Sequence, residues 1–340
     1  MARLKIASTG WADAPSFSPF LILLLLTGSV MTTSLSTWFG FHTDASSPGA
    51  LLLMLSLCVM LRLPPALRSV PFLILPFDTL IASYVVTDLS LTLPWQVQAF
   101  NLPLADDAVR AFDQSFGFEH VNWMGWLNQH TDVLKMLSTA YRSLVIQPLV
   151  LIALCLFTGR VRHLDAYIGA CWINVLLASV ISVLLPTRGI IAFLDPALLS
   201  TPAWPFGATD VATYDGLRSG ALRDLLNIPQ TGIISFPSCH AASAVLAIWG
   251  FWQWRVTRYP AIVLNSLLTV ATVGCGGHYI ADVIAGYACG GISVLLAVRG
   301  SALGYALMAR MGTHLDRAVT VFGRMRARTG ARLKLMVTPS

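Results

Sequence analysis

The sequence predicts an all-α protein, a polytopic membrane bundle with about eight transmembrane helices. The chain of 340 residues is 56% hydrophobic and only 11% charged, whereas about 25% of the residues in a soluble domain carry a charge. Its mean hydropathy is +0.69, and apolar runs long enough to cross a bilayer, about 20 residues, recur along it. These observations exclude an ordinary soluble globular enzyme.

Eight apolar runs, each ended by charges or prolines, are the candidate spans. The first is too uninterrupted, and too poorly followed by a small-residue cleavage site, for a removed signal peptide, so we interpret it as a signal anchor. The second is the weakest because Arg62 interrupts it. The predicted spans are approximately Phe20–Phe39, Pro48–Leu61, Val70–Leu93, Leu134–Phe157, Ala166–Pro186, Ser238–Trp254, Pro260–Gly277 and Asp282–Val298.

The distribution of Lys and Arg orients these spans. Cytoplasmic loops are enriched in both residues, and with eight spans every basic cluster falls on one side. The surplus of 22 Lys and Arg over 16 Asp and Glu is therefore mainly a topology signal, and nucleic acid is not an expected partner. Both termini are predicted to be cytoplasmic. The clusters are Arg3 and Lys5, Arg62 and Arg68, Arg160 and Arg162, Arg255 and Arg258, and the tail from Arg310 to Lys334.

Two long loops fall on the opposite, outer side, and the first alternates aromatic with acidic and amide residues. This loop, from Trp95 to Asp132, is typical of helices that lie at a membrane interface and equally compatible with a loop packed over the bundle mouth. The predicted regions are an N-terminal three-span region with this outer loop (1–133), a catalytic five-span core (134–300) and a basic cytoplasmic tail (301–340).

Ionisable residues near lipid usually have a function, and the first polar cluster stands where span six begins. It reads Pro237-Ser238-Cys239-His240. The free N–H groups of a helix start bind anions, especially phosphate. Ser238 can add a hydroxyl donor and His240 an acid or base. A lone histidine at a helix start is more often structural.

The second cluster runs from Gly276 to Asp282, at the outer end of span seven. If this stretch is helical, His278 and Asp282 share a face, and the carboxylate would fix the tautomer of the ring. A polar pair that only caps a membrane helix is the alternative. Because spans six and seven are antiparallel, both clusters are predicted to meet, which favours phosphoryl transfer through a phosphohistidine.

The two clusters resemble signatures of the type 2 phosphatidic acid phosphatase superfamily. Pro237-Ser238-Cys239-His240 and His278-x-x-x-Asp282 look like its P-S-G-H and S-R-x5-H-x3-D motifs, and the resemblance covers roughly residues 135–300. It implies that His278 attacks phosphorus, that Asp282 orients His278, and that His240 protonates the departing oxygen, with Ser238 as a phosphate ligand. It implies no metal and no cofactor.

Arginine positions depart from that pattern. Ala271-Thr272 stand where the signature has Ser-Arg, and Cys239 replaces its Gly. The first signature, K-x6-R-P, has no clean counterpart. Lys135 and Arg142 have the K-x6-R spacing of this signature but lack its proline, and their alternative role is a snorkelling pair on one side of a helix. Arg188, at the outer end of span five, is better placed by topology, and its alternative role is an interfacial anchor. These three residues are the remaining candidate phosphate ligands.

The two histidines and the aspartate are present, whereas the rest of the first and third signatures is degenerate. This combination looks more like the branch that includes fungal inositol phosphorylceramide synthase. The segment around Asp113, Gly117-Phe118, Asn128, Tyr141 and Gln147 also resembles bacterial members of that branch. The expected function is a lipid-phosphate phosphatase of the bacterial inner membrane with a periplasmic site. The alternatives are a phosphotransferase between lipids and, in another class, a transporter. The expected partners are a phosphorylated lipid and membrane lipids; the oligomeric state is undetermined.

The six cysteines show no C-x-x-C spacing, which argues against a zinc or thiol redox site. They are interpreted as small core residues. A disulfide between Cys239 and Cys275, which flank the two histidines, is the alternative.

Overall fold

The described part of the chain is all-helical, with eleven α-helices and no strand. The computed structural model describes residues 17–42, 71–199, 204, 208–225 and 232–336. The all-α prediction is confirmed. The helices are α1 (Pro19–Phe39), α2 (Pro71–Gln96), α3 (Asp106–Ser115), α4 (His120–Gln129), α5 (Thr131–Arg142), α6 (Gln147–Phe157), α7 (Val161–Leu184), α8 (Ala208–Ser219), α9 (Cys239–Phe251), α10 (Arg255–Cys275) and α11 (Ile280–Met336).

Four of these helices are long and apolar enough to cross a membrane, namely α1, α7, α10 and α11 up to Arg310. A fifth candidate is the pair α5 and α6 if they form one bent span. The helix α9, with 13 residues, is apolar but short. The predicted span Pro48–Leu61 lies outside the described residues. The structure therefore supports an integral membrane bundle with four or five candidate spans, and the total of eight stays a prediction.

The predicted continuous span Leu134–Phe157 is wrong in one respect, because the structure breaks it into α5 and α6, bent by 46°. A short 3-10 turn, Ser143–Val145, separates them. Pro148 in the first turn of α6 explains the break, since proline donates no backbone hydrogen bond and its ring clashes with the carbonyl four residues earlier. The bend places the end of α5 against α9.

The helices α9 and α11 pack closely through two glycines one turn apart. A Cβ atom on Gly286 would come within 2.4 Å of the carbonyl oxygen of Ser238, and one on Gly290 within 2.7 Å of that of Ala242. Small residues at this spacing let helix backbones approach in a membrane. The start of α9 is thereby fixed beside the start of α11.

One end of the bundle carries two of the arginine-bearing loops. Arg160 donates to the side chain of Gln253 at 3.0 Å, and a ring nitrogen of His163 lies 2.9 Å from the carbonyl oxygen of Gly250. The buried carboxylate of Asp165 accepts hydrogen bonds from Ser18 and Ser301 nearby. These contacts place the loop before α7 and the loop after α9 side by side, as the charge pattern predicts.

The opposite end is covered by the loop from Trp95 to Asp132, which forms the helices α3 and α4. Within this loop, the α3 residues Asp106 and Asp113 are buried, whereas Phe116 is 68% exposed. The loop is therefore helical and packs over the bundle mouth, and its placement at a membrane interface stays a prediction.

Candidate active site

His278 lies in the loop between α10 and α11, between the predicted spans seven and eight, and the helical arrangement considered for residues 276–282 does not form at this residue. Gly277 has a positive φ of 64°, and the His278 N–H donates to the carbonyl oxygen of Thr272 at 3.2 Å, which folds the loop back. The ring atom Nδ1 lies 3.2 Å from Oδ2 of Asp282. The expected pair thus forms, but through loop geometry.

The tautomer of His278 follows from a second contact of the same ring nitrogen. Nδ1 lies 3.0 Å from the backbone carbonyl oxygen of Ser235, and a carbonyl oxygen can only accept a hydrogen bond. Nδ1 therefore carries the proton, and the lone pair is on Nε2. That arrangement is the one a nucleophilic imidazole needs.

Asp282 is fully buried and held by several donors. Its Oδ2 atom accepts hydrogen bonds from Ser235 Oγ at 2.8 Å and from the Tyr279 N–H at 3.0 Å, besides the contact with His278. Its Oδ1 atom has no hydrogen-bond partner among the described residues. The carboxylate is therefore fixed in place beside the imidazole ring.

Ser238 is buried and caps α9, as its position at a predicted helix start implies. Its Oγ atom accepts from the Ala241 N–H at 3.3 Å, and its own N–H donates to the carbonyl oxygen of Asp282 at 2.9 Å. A backbone hydrogen bond thus joins the two motifs directly.

The half-buried ring of His240 lies beside that of His278. The centroids of the two rings are 6.3 Å apart, at 56° to each other. Tyr141, at the end of α5, stacks on His240 with centroids 4.1 Å apart, and its hydroxyl lies 3.3 Å from Nδ1 of His240. The two imidazole rings are therefore neighbours in one site.

Arg188 lies at the rim of this site, but its side chain is paired with another residue. Its Nε atom donates to Oδ1 of Asp215 on α8 at 2.8 Å. The next residue, Gly189, has a φ of 83°, and a Cβ there would come within 2.8 Å of Ser235 Oγ. The backbone of this loop therefore touches the residues around His278.

The other two candidate cations lie on α5. Arg142 is exposed and directly follows Tyr141, the residue stacked on His240. Lys135, two turns earlier and so roughly 10 Å away along the helix, is 69% exposed and lies 3.9 Å from Asp132. Among the described residues, Lys135 has no contact with either histidine, so the structure does not bring it to the site.

Burial shifts the pKa of two groups in the loop above the site. It raises the pKa of Asp106, and hydrogen bonds from the backbone N–H groups of Arg188 and Gly189 oppose that rise. It lowers the pKa of His120, and the nearby carboxylate of Asp113 opposes that fall. In both groups the charged form loses hydration, which is why burial is the larger effect.

The site contains neither a disulfide nor an arrangement of metal ligands in the described residues. Cys239 and Cys275 are free thiols, so the alternative of a disulfide between them is wrong. Within the part of the chain that the structure describes, no group of three or more His, Cys, Asp or Glu side chains could hold a metal ion.

A family model described as the PAP2 superfamily matches residues 107–296, more than half of the chain. The chain belongs to the PAP2 superfamily. Membership confirms the resemblance to type 2 phosphatidic acid phosphatases and supports phosphatase or phosphotransferase chemistry on a lipid phosphate at a membrane. Searches of curated proteins and of solved structures find no significant match.

Three residues of this PAP2 site are missing from the sequence prediction of the site. Ser235 supplies a carbonyl oxygen and a hydroxyl, Tyr141 stacks on His240, and Asp113 holds the start of α11. Ser235 stands two residues before the P-S-x-H motif, so proximity to that motif is a signal. Tyr141 and Asp113 are far from both motifs in the chain, and the signal for them is the second resemblance, which includes both residues.

Proposed function

We propose that this PAP2 protein is a lipid-phosphate phosphatase that acts through a phosphohistidine on His278. The observation that carries the proposal is the His278 ring, whose Nδ1 faces a carbonyl oxygen and a carboxylate at 3.0 and 3.2 Å. These acceptors keep the proton on Nδ1, leave Nε2 free, and stabilise the positive charge that develops when Nε2 attacks.

In the first step, Nε2 of His278 attacks phosphorus and the bond to the lipid oxygen breaks. His240, protonated, gives its proton to that oxygen, which leaves as an alcohol or a lipid phosphate. The two rings are neighbours, with centroids 6.3 Å apart, which supports a role for both in the same phosphoryl transfer. In the second step, His240 accepts a proton from water, the water oxygen attacks phosphorus, and inorganic phosphate leaves His278 free.

The negative oxygens of the phosphoryl group need fixed donors. We assign this role to the N–H groups in the first turn of α9, to Ser238, and to Arg142 and Arg188. Ser238 can donate its hydroxyl proton while its oxygen caps Ala241. Arg188 can exchange Asp215 for phosphate at little cost, because a pair that is 36% and 42% exposed contributes at most about 1 kcal/mol.

We also propose that the chain crosses a bacterial inner membrane eight times, with both termini cytoplasmic and the site open to the periplasm. The loops that carry Arg160 and Arg255 lie together at the end of the bundle opposite His278, and basic loops face the cytoplasm. The lipid phosphate would then be bound from the outer leaflet.

The test is a panel of lipids labelled in the phosphate group, incubated with purified protein without divalent metal. His278→Ala should lower the rate of phosphate release by on the order of 10³-fold or more, because the uncatalysed reaction is extremely slow. His130→Ala is the control, since His130 is exposed directly after α4 and stacks on Trp126 outside the site. A rate for His278→Ala within tenfold of the unmodified protein excludes the nucleophile.

The same assay distinguishes the second candidate, a phosphotransferase. Thr272 at the position of the signature arginine favours it, because the departure resembles the branch that transfers phosphoinositol between lipids. Label that appears on a second lipid, and not in inorganic phosphate, would establish transfer. Absence of both products would favour the transporter alternative.

A further inference from the structure

A buried carboxylate in the loop over the bundle mouth holds the start of the helix that carries Asp282. Asp113, on α3, is fully buried. Its two oxygens accept hydrogen bonds from the backbone N–H groups of Ile280 at 2.6 Å and Ala281 at 3.0 Å. These are the first two residues of α11, whose N–H groups have no acceptor within the helix. They lie between His278 and Asp282 in the chain.

Electrostatics make this contact strong. A carboxylate at the first turn of a helix faces the positive end of the helix dipole, and hydrogen bonds to an ionised acceptor are stronger than neutral ones. His120 on α4 lies beside this contact, with Nε2 at 3.4 Å from Oδ2 of Asp113 and its ring edge-on to that of Tyr279. The loop helices thus hold residues 279–281 from above.

We propose that Asp113 is a positioning residue for the pair His278 and Asp282. The inference rests on the proposed function, in which His278 is the nucleophile. By fixing the first turn of α11, Asp113 sets the 3.2 Å distance between Asp282 Oδ2 and Nδ1 of His278. A displacement of about 1 Å in such a pair can cost roughly 100-fold in rate, while the phosphate-binding groups on α9 stay in place.

The experiment compares Asp113→Asn and Asp113→Ala with Asp165→Asn. Asp165 is an equally buried carboxylate that accepts a backbone N–H and two hydroxyl groups, but at the opposite end of the bundle. We expect the Asp113 variants to lower kcat by about 10- to 100-fold with KM within about twofold. Asp165→Asn should keep kcat. Thermal denaturation of each variant separates loss of fold from loss of rate.

A spectroscopic measurement tests the same inference without turnover. In protein with ¹⁵N-labelled histidine, the Nδ1 proton of His278 should be protected from exchange, and Asp113→Ala should weaken that protection while Asp165→Asn does not. If the unmodified protein releases no phosphate, the proposed function fails and this signal alone decides the inference. Unchanged protection overturns it, and so do unchanged kcat values in an active protein.

Folding of the variants is also decisive. Asp113→Asn keeps the shape of the side chain and one acceptor oxygen, so we expect it to fold. If neither Asp113 variant yields folded protein while Asp165→Asn does, Asp113 is required for folding, and the positioning proposal is overturned.

Discussion

The chemistry expected of His278 depends on the backbone carbonyl of Ser235, a group outside both motifs. A carboxylate alone can exchange roles with an imidazole as their shared proton moves, whereas a carbonyl oxygen accepts only. The 3.0 Å contact with Ser235 therefore fixes the tautomer whatever the charge of Asp282. In the proposed mechanism, the attacking nitrogen is determined by two acceptors that lie 47 positions apart in the chain.

The orientation of the His240 ring depends on its contacts with Tyr141, which gives the first prediction for a single residue. Tyr141→Leu removes both the stacked ring and the hydroxyl, and we expect kcat to fall by roughly tenfold, equivalent to about 1.4 kcal/mol. Tyr141→Phe keeps the stacked ring and should lose less. Steady-state release of phosphate from a labelled lipid measures both.

The control for this comparison is Tyr287→Phe. The hydroxyl of Tyr287 contacts Thr269 at 2.7 Å, away from both histidines, so its loss should leave kcat unchanged. Full activity of Tyr141→Leu would show that the stack does not orient His240.

At the scale of elements, the contact between α9 and α11 brings the two motifs together. The carbonyl oxygen of Ser238 lies where a Cβ on Gly286 would project, and the N–H of Ser238 donates to the carbonyl oxygen of Asp282. Neither helix can move outward without breaking this hydrogen bond. The 6.3 Å between the ring centroids therefore depends on glycine packing one turn below the site.

This packing predicts that Gly286→Ala destabilises the protein. The added Cβ would be 2.4 Å from a backbone oxygen, so the helices must separate, at a cost of about 1–3 kcal/mol. Thermal denaturation in detergent should show a lower Tm, and kcat should fall with it.

Gly291→Ala provides the matched comparison. Gly291 lies on the same helix with nothing within 4 Å of a Cβ, and alanine favours a helix by up to about 1 kcal/mol over glycine. Its Tm should be unchanged or higher. A Tm of Gly286→Ala equal to that of Gly291→Ala would contradict the close packing.

At the scale of the whole molecule, the two ends of the bundle differ in charge and in the functional residues that they hold. One end joins the loops that carry Arg160 and Arg255, and the other holds the histidines under α3 and α4. His240, His278 and Asp282 all lie at this second end, which favours a surface site over a conduit. The proposed orientation follows from this asymmetry.

Labelling of single introduced cysteines in intact cells tests that orientation. Asp132→Cys, at a side chain that is 99% exposed, should react with a membrane-impermeant maleimide added outside. Arg255→Cys, at an exposed position at the other end, should react only after permeabilisation. The unmodified chain measures the background from native cysteines. The reverse pattern would place the active site in the cytoplasm.

Local composition alone established much of this protein. The all-helical class, the location of α1, α7, α10 and α11, and the two motifs follow from apolar runs and short spacings. These features can be read from the local sequence because a helix that crosses lipid must be apolar over its whole length. Even so, the break at Pro148 differs from the expected continuous helix, because proline acts on the backbone within a single turn.

Only the tertiary structure decided how the motifs are held. Tyr141 is 99 positions from His240, and Asp113 is 167 positions from Ile280, and no periodicity in the chain relates such partners. The sequence also left open which basic residue binds phosphate. The structure pairs Arg188 with Asp215 and leaves Lys135 away from the histidines. Hydrogen bonds and ring contacts act over a few ångströms, so the packing of helices distant in sequence determines which groups they join.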